Sequence, residues 1–287
     1  MTEATIVAWD GSAPARSALE WAARWASGGD LTLVRVLEDS IGITDYIVDD
    51  SMVDAARAAL EDAAAEVRLA HPDLRVESEF VRGDPIGELR RRSAPNRLVV
   101  VGTHRREGSK LRFEWSVGAR LAASARGPVA IVPETDSATR SGVVVGIDGS
   151  TASDAAVAFA AEHASRSHQP LRIIHAWQEP PVWQGPDSLD PVPSQDFLDS
   201  LEDTHQQILN ESVTKVTDAW PELPVRGTLM HGPPQPALLE ASRGAAVLVV
   251  GNHGLHGVER LLLGSVSHAL VLNIVSPTIV ISAPPET

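Results

Sequence analysis

The 287-residue chain contains no cysteine. Disulfides, thiolate catalysis and cysteine-type zinc sites are therefore excluded, and the chain fits a reducing compartment. Long apolar runs are also missing. Val247-Leu248-Val249-Val250 is representative and falls far short of the roughly 18 residues a membrane span needs. No basic leader precedes Thr5-Ile6-Val7-Ala8-Trp9, which already reads as a first strand, so the sequence predicts no signal peptide, no membrane contact and a cytoplasmic protein. Basic residues are scarce: 24 Lys and Arg face 38 Asp and Glu, a formal net charge of −14. That balance argues against general nucleic-acid binding, because phosphate backbones need a basic face. The deficit is uneven. Residues 1–140 hold 18 basic and 22 acidic residues, whereas residues 141–287 hold 6 and 16. Eight of the basic residues fall between Arg90 and Arg112, which reads either as a solvated helix face and loop or as an anion or partner site.

What is present repeats. Ile6-Val7-Ala8-Trp9-Asp10-Gly11-Ser12 recurs 138 residues later as Val144-Val145-Gly146-Ile147-Asp148-Gly149-Ser150. Leu98-Val99-Val100-Val101-Gly102-Thr103-His104 recurs 149 residues later as Val247-Leu248-Val249-Val250-Gly251-Asn252-His253. Gly83-Asp84-Pro85 and Gly232-Pro233-Pro234 keep that second spacing, as do Gly127-Pro128-Val129-Ala130-Ile131-Val132 and Ser276-Pro277-Thr278-Ile279-Val280-Ile281. Four blocks in one order mark a duplication. The extra length of the second copy lies mostly in Gln178 to Ser194, where five prolines argue for an irregular loop. The polar run Glu134 to Arg140 separates domains at 1–137 and 141–287.

Each copy alternates short Val- and Ile-rich runs with helical periodicity. The runs Thr5–Trp9, Leu31–Leu37, Leu98–Val101, Val143–Ile147, Leu171–Trp177 and Val247–Val250 read as strands buried on both faces. Leu19, Ala22, Trp25 and Ala26 step at helical spacing, as do Ala155, Phe159 and His163. Longer helices are expected at Met52–Ala70 and Phe197–Trp220. The expected fold is α/β: two tandem doubly wound domains, each with a mostly parallel sheet of about five strands. The short final strands, Val129–Val132 and Thr278–Ser282, would lie at sheet edges that need cover.

The most informative segment is Gly251-Asn252-His253-Gly254, followed nine residues later by Gly264-Ser265-Val266-Ser267. It runs from a strand into a helix, where open parallel sheets bind ligands. Glycines there let backbone N–H groups approach phosphate oxygens, and the helix dipole favours negative charge. Ser265 can add a hydroxyl to a phosphate or to its metal. Neither the Walker pattern nor G-x-G-x-x-G is present. A plain turn also explains two glycines, and an N-cap or Asp-Gly turn also explains Asp148.

Gly-x2-Gly-x9-Gly-Ser after a fourth strand resembles the nucleotide loop of the ATP-binding universal stress proteins, with their adenine nucleotide alpha hydrolase-like fold. The likeness extends to Val-Gly-Ile-Asp-Gly-Ser, to Gly-x-Pro, to Ser-Pro-Thr-Ile-Val-Ile and to the tandem arrangement. It implies that Asp148 contacts adenine and ribose and that Ala176 packs on the adenine. By the same likeness Val250, Gly251, Gly254, Gly264, Ser265 and Val266 contact ribose and phosphates, with Asn252, His253 and Ser267 in the same loop and Gly146 and Ile147, before Asp148, counted with the nucleotide site. The implied ligand is ATP, with or without Mg²⁺. The two copies are expected to pair their last strands, with a homodimer as a further option.

The first copy departs from this pattern. Arg105 and Trp115 replace the second and third glycines, although Asp10, Gly102 and Ser116 remain, and Ala8 and Trp9 replace Gly146 and Ile147. A glycine needed at positive φ or against a phosphate does not tolerate either replacement, so the first copy is expected to bind nucleotide weakly or not at all. Arg105 neutralising phosphate charge is the counter-reading. Trp177 and Trp183 flank the proline-rich loop, where they either cover the adenine or belong to the core. No H-E-x-x-H pattern or local Ser/His/Asp set is present. The expected function is a nucleotide-binding regulatory protein of the stress response and not an enzyme. A slow ATPase or nucleotidyl-transfer enzyme is the alternative, and an empty scaffold the third.

Overall fold

The computed structural model describes residues 4–38, 50–104, 117–134, 140–179, 195–252 and 263–282. The first repeat runs β1 (Ala4–Ala8), α1 (Ala13–Ala26), β2 (Asp30–Leu37), α2 (Asp50–Ala70), β3 (Arg75–Arg82), α3 (Pro85–Arg92), β4 (Arg97–Thr103), α4 (Val117–Ser124) and β5 (Val129–Pro133). The second runs β6 (Val143–Ile147), α5 (Thr151–Arg166), β7 (Leu171–Trp177), α6 (Gln195–Ala219), β8 (Val225–His231), α7 (Pro234–Ala241), β9 (Val247–Asn252), α8 (Ser265–Leu272) and β10 (Thr278–Ser282).

The apolar runs become the central strands because helices cover both faces: every residue of β5 and β6 is buried. Among the described residues the strands form one sheet in the order β3-β2-β1-β4-β5-β10-β9-β6-β7-β8. Neighbours within a repeat are parallel. The final strands do pair, antiparallel, with Thr278 opposite Ile131 and Val280 opposite Val129. Each strand thereby covers the other's edge, leaving β3 and β8 as the outer edges.

Side chains alternate between two cores. One lies under α1, α2, α5 and α6 and includes Leu31, Leu33, Leu171 and Ile173; the other lies under α3, α4, α7 and α8 and includes Val99, Leu121, Leu238 and Leu270. Several of these side chains are wholly buried, each contributing about 1.5–3 kcal/mol. The first core runs across the repeat boundary. There Trp25 of α1 stacks on Phe159 and His163 of α5, with ring centroids 5.9 and 3.4 Å apart.

Helix starts follow local chemistry. Ser12 and Ser150 cap α1 and α5, accepting from the N–H groups of Ala15 and Ser153. Asp148 is therefore not the cap itself. The Arg90–Arg92 run closes α3, where Arg91 and Arg92 pair with Glu88 and Arg92 also reaches Glu79 at 2.8 Å. Arg91 and Arg92 are thus paired with acids of the same repeat, and residues 105–112 lie outside the described residues.

Candidate functional site

Within the second repeat the strand order reverses between β6 and β9, whose crossover helices leave the sheet on opposite faces. A cavity of about 210 Å³ lies at their carboxyl ends. Its walls come from four places in the sequence. Strand β6 contributes Gly146 and Ile147, with Asp148 just beyond; β7 contributes Ala176; β9 contributes Val250 and Gly251. Gly264 and the first turn of α8, Ser265 to Ser267, close the far side. Ser153, Pro234 and Leu238 also line it, and sequence reasoning had not singled them out. Residues His253 and Gly254 lie outside the described residues, as do Arg105, Trp115 and Ser116 of the first repeat.

The glycines have distinct reasons. A Cβ on Gly251 would stand 2.6 Å from the backbone carbonyl of Ala152. The end of β9 abuts the first turn of α5, and only glycine fits. The same holds at Gly102, where a Cβ would lie 2.2 Å from the Pro14 carbonyl oxygen. This is why Gly102 survives in a repeat whose loop glycines are gone. Gly146 gives its side-chain space to Leu238, whose methyls would sit 2.9 Å from a Cβ. Gly149 turns at φ +83° and permits the Asp-Gly corner. Gly264 does not follow the positive-φ expectation: as N-cap of α8 it has φ −57°, so its backbone conformation is open to other residues.

Asp148 is exposed and held in place. Its Oδ1 accepts from the N–H and hydroxyl of Ser150, at 3.1 and 2.6 Å. Asn252 is placed differently from its expected role in contacting the ligand. It is buried, and its Oδ1 accepts from the Gly264 N–H at 2.8 Å and the Ser267 hydroxyl at 3.3 Å. It ties the end of β9 to the start of α8, joining the two ends of the loop. The first N–H groups of α8 have no intrahelical acceptor and give the cavity a positive rim. Among the described lining residues Asp148 is the single ionisable side chain. Positive potential in the described wall is therefore entirely backbone.

Trp177 does not cover this cavity. It is buried on the other face of β7, stacked on His205 with centroids 5.0 Å apart. Trp183 lies outside the described residues. Two larger hollows exist elsewhere. One is an open surface along a single helix, α6, from Asp203 to Lys215. The other lies at the amino ends of β1 to β4, where Arg75 pairs with Asp30 and Arg92 with Glu79. Neither sits at a strand carboxyl edge. Among the described residues no cluster of three His, Asp or Glu side chains is arranged to hold a metal ion, and no helix is long and apolar enough to cross a membrane.

In the first repeat Asp10 keeps its turn, its Oδ1 accepting from Ser12 N–H at 2.9 Å. Trp9 occupies the place of Ile147 and is buried, its indole N–H without a partner among the described residues.

Fold and cavity define a doubly wound α/β protein with a cavity at the carboxyl edge of the sheet. The universal stress protein family profile matches residues 1–133 and 140–282. A universal stress protein of Mycobacterium tuberculosis (strain ATCC 25618 / H37Rv) is 30% identical over 305 residues, covering 98% of this chain and 95% of its own. One from Mycolicibacterium smegmatis is 30% identical over 293 residues, covering 96% of both chains. The crystal structure of a universal stress protein from Archaeoglobus fulgidus DSM 4304 superposes with a TM-score of 0.71 at 21% identity, covering 99% of this chain and 97% of that one. The chain belongs to the universal stress protein family.

Proposed function

We propose that the second repeat binds ATP and that the protein acts as a nucleotide-dependent regulator in the cytoplasmic stress response. One observation supports this above the others. Ten residues expected from sequence to surround a nucleotide, scattered from Gly146 to Ser267, line one cavity at the strand-order reversal. Apolar walls from Ile147, Ala176, Val250 and Leu238 suit a purine. Asp148, oriented by Ser150, suits ribose hydroxyls or the exocyclic amine. The N-terminus of α8 suits a phosphate.

At about 210 Å³ the cavity is smaller than the roughly 300–1,000 Å³ of pockets that enclose a drug-sized ligand. In this reading the nucleoside occupies the cavity and the phosphates lie at the first turn of α8. With no cation in the described wall, Mg²⁺ is expected to travel with the triphosphate. In this reading the ligand biases a conformation or partner surface, and no side chain is assigned as a base for attack on the γ-phosphate. Steady-state turnover above about 1 s⁻¹ would instead make the protein an enzyme. The direct test is calorimetry with ATP and Mg²⁺ on the wild type and on Gly254→Arg, which imports the first repeat's Arg105. Binding is expected in the first and a loss of at least tenfold in the second. Equal affinities overturn the assignment.

A further inference from the structure

We infer that His175 is a positioning residue for the second repeat's site, holding through the Ile147 carbonyl the strand end that presents Asp148. The inference rests on the nucleotide reading above and adds a residue that reading does not use. His175 lies in β7 opposite Ile147 of β6, at the last register position of the pair. It is 3% exposed, and both ring nitrogens have partners. Nδ1 lies 2.9 Å from the Ile147 carbonyl oxygen, and Nε2 lies 2.8 Å from Nδ1 of His205 on α6.

Protons can be assigned along this chain. A carbonyl oxygen only accepts, so His175 carries its proton on Nδ1. The neutral ring then has a bare Nε2, which must accept, so His205 carries a proton on its own Nδ1. The direction runs from His205 to His175 to the Ile147 carbonyl. A further proton on Nε2 of His205 leaves both hydrogen bonds intact. The His205 ring is in turn stacked on Trp177 at an interplanar angle of 20°. Trp177 meets His231 edge-on, and His231 pairs with Glu179 at 2.9 Å. The bond to Ile147 is thus braced from α6 and β8.

A buried histidine with both nitrogens satisfied is commonly a core residue. Here the partner atom matters. Ile147 and Ala176, on either side of this bond, both line the cavity, and Asp148 follows Ile147 directly. The first repeat lacks the arrangement. Its last β1 to β2 bond runs from Trp9 N–H to the Val34 carbonyl, which sets Arg35 in the place of His175 and Trp9 in that of Ile147.

Three variants separate the roles. His175→Asn sets an amide nitrogen where Nδ1 stood and keeps the bond to Ile147 while losing His205. His175→Gln reaches toward His205 and loses Ile147. His175→Leu loses both. Affinity for ATP with Mg²⁺ is measured by calorimetry, alongside thermal melts and the ¹⁵N tautomer signature of His175 in the wild type. Expected are an Nδ1–H tautomer, affinity within about threefold of wild type for His175→Asn, and losses of about tenfold for His175→Gln and His175→Leu, as for one lost hydrogen bond of ~1.4 kcal/mol. Wild-type affinity in His175→Gln overturns the inference. So does a His175→Asn protein that melts cooperatively yet binds as weakly as His175→Leu, or an Nε2–H tautomer. A wild type that shows the Nδ1–H tautomer but binds no nucleotide sinks the reading of the site itself.

Discussion

Acid should weaken the seam between the repeats through one histidine. His163 of α5 lies face to face with Trp25 of α1, the rings 11° from parallel, and its Nδ1 is buried without a partner. Burial, and secondarily the charge of Arg166, push its pKa down to about 3. In the unfolded chain the ring titrates near 6.5, so below that pH the unfolded state takes up the proton first. The stability is fully present above about pH 6.5 and is lost as the pH falls toward 3. At pH 4.5, two units below the unfolded pKa, the loss is about 2.7 kcal/mol at ~1.36 kcal/mol per unit. With the folded-state pKa near 3 the folded ring stays neutral at this pH, so cation–π attraction to Trp25, which acts on the charged ring, recovers almost none of that loss. Urea unfolding at pH 7.5 and 4.5 should be compared between the wild type and His163→Phe, which keeps a stacked ring and cannot titrate. The wild type should lose about 2–3 kcal/mol more than the variant on acidification. Equal losses refute the role of this ring, since all other titrating groups are common to both proteins.

Three further outcomes follow from packing. Gly251→Ala and Gly102→Ala should each destabilise the fold by about 1–3 kcal/mol, as overpacking does, read as lower thermal midpoints. Gly251→Ala should weaken nucleotide binding as well. Asn252→Ala leaves the Gly264 N–H and the Ser267 hydroxyl without their shared acceptor. It should cost about 1–3 kcal/mol in chemical denaturation and weaken ATP binding. Gly264→Ala, at a φ any residue adopts, should leave stability within about 1 kcal/mol of wild type in the same denaturation assay, so any change in ATP affinity reports on the cavity.

The sequence made the duplication, the central strands and most of the cavity wall legible because these follow from periodicity and from glycine spacing. β3 and β8 were harder to read. As outer strands they are half exposed, and Arg75-Val76-Glu77-Ser78-Glu79 carries charge where a central strand would carry Val and Ile. Gly251 was placed in the site for an incomplete reason: its lack of a side chain is required by the Ala152 backbone, a contact between distant segments that spacing does not reveal. Leu238, Pro234 and Ser153 reach the cavity from two helices; Leu238 and Ser153 carry no motif, and the Gly-x-Pro that holds Pro234 does not itself point to a ligand. For Trp177 the flanking proline-rich loop leaves two readings, adenine cover or core, and the structure takes the core one. Strand alternation separates the two, since Ala176 faces the cavity and its neighbours must face away. The His175–His205 pair joins positions 30 residues apart and has no local signature.

The measurement that bears most directly on the site is a calorimetric titration of the intact chain with ATP and Mg²⁺, run alongside Asp148→Ala and Asp10→Ala. A single strong site per chain is expected, lost in Asp148→Ala and unchanged in Asp10→Ala. Two equivalent sites, or a loss of binding in Asp10→Ala with none in Asp148→Ala, would contradict the assignment of the nucleotide to the second repeat.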